Sequence, residues 1–232
     1  MSNIIGIGAA PRRKEDFRFL TGRGNYVADV KRADMTFGVF IRSQHGHAVI
    51  RGIDKTAALA MPGVEAVLTG DDVAADGLGS LPCGWGIHGS DGLPMKEPPF
   101  PMLAQGKVRF VGDMVAFVVA DTLELARTAA EAVVIDYEVL PSVVGVLEAV
   151  RPGAPQLFDD VPNNLCCDWE LGDKAAVATA FKKAAHVARL SLVNNRLIGN
   201  PMEPRAAVAE YTAGPATIRC GPRASFPMWC GS

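Results

Sequence analysis

Apolar residues recur along the first 140 residues in short runs that predict β-strands. The runs are rich in Val, Ile, Ala and Phe, and most are followed within two residues by Gly, Pro or Asp. The predicted strands are 36–42, 49–53, 64–68, 115–120 and 134–139. Their lengths are typical of strands in globular domains.

Helical spacing occurs between these strands. Asp54 is placed to cap a short helix over 55–60, which the Pro-Gly pair at 62–63 would end. Asp121 and Glu124 have the spacing of a capping box, and the residues that follow carry an apolar face at helical spacing. That face comprises Leu123, Ala126, Ala130 and Val133. Strands and short helices are therefore expected to alternate.

Two stretches lack this periodicity. Residues 1–20 are polar and basic and contain Pro11, which predicts an extended arm. After a turn at 70–72, residues 73–106 are rich in Gly and Pro, which predicts a long irregular loop. Loops of this length are often functional or interfacial.

A segment rich in Pro, Asn and Asp at 151–164 predicts a linker and the best domain boundary. Beyond it, Asp173 is placed to cap a helix that extends to Lys183, and residues 186–193 alternate as a strand. The predicted apolar face of this helix comprises Val177, Phe181 and Ala184. We expect this second unit to be incomplete.

Composition and charge narrow the class of protein only slightly. The hydrophobic share is 49%, the charged share is 21% and the net charge is −2, so the chain has no general attraction for nucleic acid or anionic membranes. The apolar stretch before the basic cluster at 12–14 is too short for a secretory signal, and no run approaches the roughly 20 apolar residues of a membrane span. A soluble, cytoplasmic chain is therefore expected.

The cysteines give no clear metal or disulfide framework. They are five in number, form no CxxC pair, and include the adjacent Cys166 and Cys167, whose spacing is poor for a tetrahedral metal site. We expect reduced thiols, with a structural zinc site or a disulfide as the alternative.

Two short motifs near the start of the chain invite a functional interpretation. Gly6-Ile7-Gly8 could open a dinucleotide-binding loop, but Pro11 stands where the third glycine is required and no helix follows, so a flexible arm is favoured. His45 and His47 could place two imidazoles on one face of a strand. Because no further ligand is supplied nearby, two structural histidines are favoured over a metal site.

Two later motifs were also considered. Cys83, Trp85 and His88 could supply a nucleophile and its base, but no orienting acid stands at a recognised spacing, so an unreactive loop is favoured. In the segment 200–205, two prolines bracket Glu203 and fix the backbone around it. A Glu203–Arg205 pair could serve a functional site or form a structural ion pair at a domain boundary, and both alternatives stay open.

Four ordered blocks resemble one protein family. They are 12–30, 41–54, 61–73 and 108–141. They resemble the a/b hammerhead domain of the large subunits of molybdopterin-dependent aldehyde oxidase, xanthine dehydrogenase and carbon monoxide dehydrogenase, and the resemblance covers nearly all of 11–141. Residues 194–211 resemble the opening of the first cofactor-binding domain of that family. Gln44 and Gly46 depart from the family's RSPHAHA motif, which should alter loop detail and not the fold.

The resemblance implies an α+β fold with four segments. These are an N-terminal arm at 1–20, a hammerhead domain at 21–150, an incomplete first molybdopterin-binding domain at 151–216 and a tail at 217–232. It also implies a molybdenum-dependent oxidoreductase that hydroxylates an aldehyde, purine, N-heterocycle or carbon monoxide with water-derived oxygen. The implied cofactor of the full-length protein is a molybdenum-molybdopterin cytosine dinucleotide. The implied partners are an iron-sulfur small subunit and an FAD-binding medium subunit, with no nucleic acid or membrane.

The tail departs from the family pattern. The family continues with a segment similar to TLWxSSQxPHxVR, whereas this chain has TIRCGPRASFPMWCGS from Thr217 onward. Reading the codons of Thr217 to Gly231 in a shifted frame allows T-L-W-(T/A)-S-S-Q-(L/F)-P-H-V-V-R, and Met228-Trp229 forces the valines because ATG TGG TGY contains GTG GTG. A frameshift near 212–217 is the hypothesis, and a genuine divergent tail is the alternative.

The resemblance places both the glutamine that contacts the molybdenum centre and the catalytic glutamate outside this sequence. We therefore predict no catalytic, cofactor-binding or metal-binding residues and no activity for this chain alone, which is expected to bind no cofactor. One alternative is a non-catalytic assembly module that docks partner subunits through the 73–106 loop. Another is a decayed gene product, with an exposed apolar strand after residue 186 and a tendency to aggregate.

Overall fold

The computed structural model describes residues 13–195, 197–199, 203, 205–210 and 217–220. The chain forms two compact units, one spanning 34–188 and the other built from residues on either side of it. The strands are β1 (Phe37–Arg42), β2 (Ala48–Asp54), β3 (Val64–Thr69), β4 (Lys107–Val108), β5 (Met114–Ala120), β6 (Val134–Val139), β7 (Ala207–Glu210) and β8 (Thr217–Cys220). The helices are α1 (Asp16–Leu20), α2 (Thr56–Leu59), α3 (Gly70–Ala75), α4 (Leu123–Ala132), α5 (Val146–Ala149) and α6 (Lys174–Lys183).

One sheet of the 34–188 unit has the order β1-β5-β3, with both pairings antiparallel. The central strand β5 is almost continuously apolar because it is covered on both faces. Val115, Ala116, Val118 and Ala120 on this strand have no exposed surface. The prediction of a buried strand at 115–120 is therefore confirmed.

The second sheet has the order β4-β2-β6, and both of its strand pairings are antiparallel. The register between β2 and β6 shifts between Ile50 and Gly52. All five predicted strands of the first 140 residues are present, with bounds within one residue of the prediction. Pairing is nonlocal: β1 lies beside β5 and β2 beside β6, so neighbours in the sheets are not neighbours in the chain.

The core of this unit consists of two clusters of small and β-branched side chains. The first comprises Ala58, Val67, Val118, Ala129 and Val133, and the second comprises Ala48, Ala104, Val108 and Val115. Ile53 and Ile135 pack against both clusters, so they connect the two sheets. Close packing of such small side chains leaves little room for added volume.

The helix starts agree with the predictions in part. The Asp54 carboxylate accepts a hydrogen bond from the N–H of Thr56 at 2.9 Å, as a capping residue does, although Lys55 is the residue at the helix boundary. The predicted cap of α4 at Asp121 is wrong, because Thr122 accepts the N–H of Leu125 through its side chain. Thr122 stands directly before the helix and is the better placed hydroxyl.

The predicted turn at 70–72 is the beginning of α3. The Asp72 carboxylate accepts hydrogen bonds from the N–H and the hydroxyl of Thr69, both at 2.7 Å, and from the Lys55 ammonium at 2.9 Å. This reciprocal arrangement satisfies donors that the start of a helix otherwise leaves without partners. The sequence pattern at 70–72 was consistent with either structure.

Several side chains hold the predicted linker at 151–164, and Asn164 makes three of these hydrogen bonds. Asn164 accepts the N–H of Leu157 and donates to the carbonyl oxygens of Ala149 and Pro155, all at 2.9 Å. Val161 within the same segment is almost completely buried. The segment is therefore ordered, and its role as a domain boundary stays a prediction.

Three other predictions differ from the structure. Residues 16–20, predicted as part of an extended arm, form the short helix α1, with an Arg13–Asp16 ion pair at its start. Helix α6 begins after Asp173 and ends at Lys183 as predicted, but it buries none of its side chains. Residues 186–193 form no strand, because none of the described residues pairs with them.

The second unit contains the two-stranded antiparallel sheet β7-β8 and a 3-10 helix at Val27–Asp29. Across the described residues, no helix combines the length and the apolar character that a membrane crossing requires.

Candidate functional site

A cavity of about 350 Å³ lies beside β4 in the 34–188 unit. Its walls are mostly aromatic and proline side chains, with three charged groups at its margin. The lining residues are Pro99, Phe100, Pro101, Ala104, Lys107, Arg109, Phe110, Asp113, Leu157 and Phe158. A volume of this size is at the lower end of the range for sites that hold a small ligand.

Arg109 connects the two sides of this cavity. Its backbone N–H donates to the Asp113 carboxylate at 3.0 Å, and its Nε donates to the carbonyl oxygen of Leu157 at 3.2 Å. The guanidinium carbon also lies 4.4 Å from the centre of the Phe158 ring, which is a cation–π distance. Arg109 therefore fastens the 157–158 segment to the second sheet through one guanidinium hydrogen bond and the ring contact.

Burial perturbs two titratable groups close to the cavity. The pKa of Asp113 is raised because the carboxyl is desolvated, although the backbone N–H groups of Arg109 and Met114 partly oppose this. Desolvation also raises the pKa of Tyr137, and a hydrogen bond with Ser43 opposes it. Neither group is joined to a nucleophile, so the arrangement can bind a ligand at its margin but offers no acid–base pair for catalysis.

His45 and His47 have structural surroundings. The His45 ring makes an edge contact with Tyr137 at a centroid distance of 5.0 Å. His47 is buried, its Nδ1 donates to the carbonyl oxygen of Pro141 at 2.9 Å, and its Nε2 has no hydrogen-bond partner among the described residues. Within those residues no group of three His, Cys, Asp or Glu side chains could hold a metal ion. The interpretation of both residues as structural histidines agrees with this geometry.

The glycine-rich loop does not bring its candidate residues into a catalytic arrangement. The Cys83 thiol is exposed. Within the described residues, its one hydrogen-bond partner is the carbonyl oxygen of Trp85, at 3.7 Å. His88 lies at an isolated bridge with Pro94, and the Trp85 side chain is 73% exposed. The isolated bridge and the exposed Trp85 ring are typical of a surface loop.

Glu203 serves a structural purpose in the second unit. Its Oε1 accepts the N–H of Val27 at 3.0 Å, at the start of the 3-10 helix. No ion pair of the described residues joins Glu203 to Arg205, which is exposed. The sequence left two alternatives for Glu203 and Arg205, a functional pair and a structural ion pair. The geometry supports a structural role for the Glu203 carboxylate, without Arg205 as its partner. Gly6 and Gly8 lie outside the described residues.

The described residues beyond 173 do not fit a large cofactor. A site for such a group is concave and buries most of its surface. Helix α6 buries no side chain, and the apolar residues after it are open to solvent, among them Leu190, Leu192, Val193, Leu197 and Ile198. These residues form no enclosed wall, so we assign none of them to a cofactor.

The cavity and the role of Arg109, one of its lining residues, were not predicted from the sequence. Lys107 and Arg109 alternate along the chain next to β4, which was the only local signal. Lys107 pairs with Asp159, and Arg109 contacts Leu157 and Phe158, all between 48 and 52 residues away in a segment predicted as a linker. A contact over that separation leaves no periodicity in the sequence.

Two family models match the chain in consecutive segments. Residues 21–141 match the aldehyde oxidase and xanthine dehydrogenase a/b hammerhead domain. Residues 157–225 match a molybdopterin cofactor-binding domain. The first match alone covers more than half of the 232 residues.

Known proteins with similar sequences are large subunits of enzymes. The carbon monoxide dehydrogenase large chain of Afipia carboxidovorans is 38% identical over 218 residues, which cover 89% of this chain and 26% of that protein. The nicotine 6-hydroxylase large subunit of Paenarthrobacter nicotinovorans is 34% identical over 207 residues, covering 88% of this chain and 24% of that protein. The chain thus spans about a quarter of the length of these relatives.

A solved structure agrees with the sequence comparisons. Quinoline 2-oxidoreductase from Pseudomonas putida 86 is 36% identical and has a TM-score of 0.69 over 88% of this chain and 25% of that chain. The expected combination of a hammerhead domain with the start of a molybdopterin-binding domain is confirmed.

Proposed function

The chain belongs to the aldehyde oxidase and xanthine dehydrogenase family, and we propose that it contributes the hammerhead scaffold and the opening cofactor-domain segment of a molybdenum-dependent hydroxylase. The observation that carries this proposal is the order of the two matches, hammerhead at 21–141 and cofactor domain at 157–225. The substrate class is an aldehyde, a purine, an N-heterocycle or carbon monoxide, oxidised with oxygen derived from water. The relatives named for carbon monoxide and nicotine lie within that range.

The cofactor of the complete enzyme is proposed to be a molybdenum-molybdopterin cytosine dinucleotide. When bound, it supplies the redox chemistry of the hydroxylation, and iron-sulfur and FAD subunits accept the electrons. The residues described here contribute the scaffold: two sheets and a core that keep β4 and the Arg109 contacts in place. None of them holds or moves a proton at a reacting atom.

We propose that the chain is inactive by itself. Charge stabilisation and proton transfer both need a pocket from which water is excluded. Helix α6 buries no side chain, and the described apolar residues of 190–198 are open to solvent, so these residues supply no such pocket.

A direct assay tests this proposal. The purified chain is loaded with molybdopterin cofactor and assayed for oxidation of an aldehyde, a purine, nicotine and carbon monoxide with a dye acceptor. We expect no turnover above a blank that contains only the dye, and turnover with a full-length relative as positive control. Turnover by this chain that depends on molybdenum would contradict its proposed inactivity.

A second candidate function is a non-catalytic assembly module. Its support is the row of exposed apolar side chains on the predicted docking loop. They are Leu78, Leu81, Trp85, Leu93 and Phe100. Co-purification with the iron-sulfur and FAD subunits of a relative would support it, and Trp85→Ser should then weaken the association while Val177→Ser on α6 should not.

The tail from residue 217 is proposed to arise from a frameshift. Its support is that the shifted frame of Thr217 to Gly231 allows the family segment, whereas the cofactor-domain match, which extends to residue 225, favours the divergent tail. Sequencing the locus tests the proposal: the shifted frame should encode the Trp, Gln, His and Arg of the family segment, and an open reading frame for further cofactor domains should follow. Their absence would favour a divergent tail. If the chain is instead a decayed product, the exposed apolar residues after 186 should cause aggregation.

A further inference from the structure

The segment around residue 166 presents two adjacent thiols at the surface. Cys166 is exposed and Cys167 is half-buried, and neither forms a disulfide. The chain bends at Cys166 and is not in a strand, so the rule that successive side chains point to opposite faces does not apply there. The backbone at this pair therefore does not force the two side chains to opposite faces.

The backbone that carries these thiols is anchored on both sides. The carbonyl oxygen of Cys166 accepts the N–H of Lys96 at 3.0 Å, and the carbonyl oxygen of Asp168 accepts the N–H of Ser90 at 2.8 Å. These bonds join the 166–168 segment to the glycine-rich loop. Because the backbone is already ordered, a ligand that bonds both sulfurs loses less conformational entropy on binding than it would with a mobile segment.

The spacing of the pair disfavours two other uses. Consecutive residues across a trans peptide lie about 3.8 Å apart, which is closer than the roughly 4.4–6.8 Å usual between the Cα atoms of a disulfide. A tetrahedral zinc site needs four ligands, and no group of three potential ligands occurs among the described residues. An atom that needs only two sulfur ligands fits the pair better than a disulfide or zinc. Such an atom lies between the two sulfurs, so the sulfurs need not come within bonding distance of each other.

We propose that Cys166 and Cys167 form a dithiol site for trivalent arsenic compounds, which are soft and form stable bonds with two sulfurs. In the reaction, the As=O bond breaks, two S–As bonds form, and the two thiol protons leave with the oxygen as water. No electrons are transferred, so no oxidant is needed. This site is separate from the proposed function and does not depend on it.

Phenylarsine oxide is the probe for this site. The test uses the whole chain with Cys220→Ser and Cys230→Ser, so that only the three thiols whose side chains the structure describes remain. Intact-mass measurement should find one phenylarsenic group per chain, bound with loss of water. The group should resist excess 2-mercaptoethanol and be released by 2,3-dimercaptopropanol. Chelation by a linked pair typically strengthens binding on the order of 10²–10⁴-fold over a single contact.

Single variants distinguish arsenic bound by both Cys166 and Cys167 from arsenic bound by one thiol. Cys166→Ser and Cys167→Ser should each abolish the resistance to 2-mercaptoethanol, while Cys83→Ser, which removes an equally exposed thiol, should leave it unchanged. Circular dichroism checks that each variant keeps its fold. The proposal is overturned if the bound group survives 2-mercaptoethanol in either single variant, or if 2-mercaptoethanol removes it from the unchanged pair.

Discussion

Two regions of this protein have similar apolar patterns and opposite degrees of burial. The region from β1 to β6 (37–139) buries two apolar clusters, and Val118 in β5 has no exposed surface, whereas apolar side chains of its glycine-rich loop such as Trp85 stay exposed. The open segment (174–198) has helical and alternating apolar residues as well, yet Val177 is 54% exposed and Leu192 is 79% exposed. The difference teaches that a periodic pattern supplies an apolar face, whereas burial requires a second surface to cover it.

The physical cause is the availability of neighbours. Strand β5 has β1 on one side and β3 on the other, and α4 packs against the same sheet. The open segment has no such neighbour among the described residues. Because hydrophobic stabilisation scales with the area removed from water, its apolar residues contribute little to folding.

The largest loss of stability is expected at Gly70, where the packed region leaves no space for an added side chain. A Cβ at Gly70 would lie 2.3 Å from the carbonyl oxygen of Ala104, and backbone cannot move aside cheaply. We expect Gly70→Ala to lower the free energy of unfolding by about 3 kcal/mol, as overpacking does. Urea denaturation measures the change.

Gly79→Ala is the matched control, since nothing lies within 4 Å of its added Cβ. It should change the free energy of unfolding by less than about 0.5 kcal/mol. Equal losses in the two variants would mean that the contact between Gly70 and Ala104 is absent.

The second effect compares one residue type in both regions. Val118→Ala removes two methyl groups from a fully buried position, and we expect a loss of about 2 kcal/mol from transfer and cavity formation. Val177→Ala in α6 should cost almost nothing, because its side chain is half-exposed and Ala favours the helix. Thermal and urea unfolding of the two variants compare the regions directly. Similar losses would show that α6 is packed after all.

A smaller, pH-dependent effect is expected at α3. The Lys55 ammonium and Thr69 lower the pKa of Asp72 to about 2 from its ordinary value of 3.8. A carboxyl with a lowered pKa stabilises the fold above its ordinary pKa, and this contribution is lost as the pH falls toward 2. Because the side chain is partly exposed, we discount the shift for solvent screening and expect Asp72→Asn to cost about 1 kcal/mol at pH 6.

Asp71→Asn is the control, because Asp71 is exposed and lies next to Asp72. The difference between the two variants, measured by urea unfolding from pH 6 to pH 2.5, should shrink as the pH falls. A difference that stays constant over this range would show that Asp72 acts without its charge.

The smallest effect on stability is expected in the open segment. Leu192→Ser replaces a side chain that is 79% exposed, so the free energy of unfolding should change by less than about 0.5 kcal/mol. Self-association measured by light scattering should decrease, because the variant removes part of an exposed apolar surface. A loss above roughly 1.5 kcal/mol would indicate burial of Leu192 and would remove the contrast between the regions.

The strands predicted for the packed region were correct because residues adjacent in the chain determine where each strand begins and ends. Runs such as 115–120 and 134–139 contain β-branched residues and end at turn residues, and both signals are adjacent in the chain. The start of α6 was correct for the same reason, since Asp173 accepts the N–H of Ala176 only three residues away. For the candidate site, the structural role of His45 and His47 stays a prediction, and the cavity at Arg109 was not predicted from the sequence.

The sequence by itself therefore determined the α+β class, the family, the strand positions and the start of α6. Tertiary structure alone decided that β5 lies between β1 and β3, that Arg109 reaches Phe158, and that the apolar face of α6 stays open. The physical reason is the range of the forces involved. Backbone preferences and caps act over a few residues, whereas burial and cation–π contacts depend on residues that only the folded chain brings together.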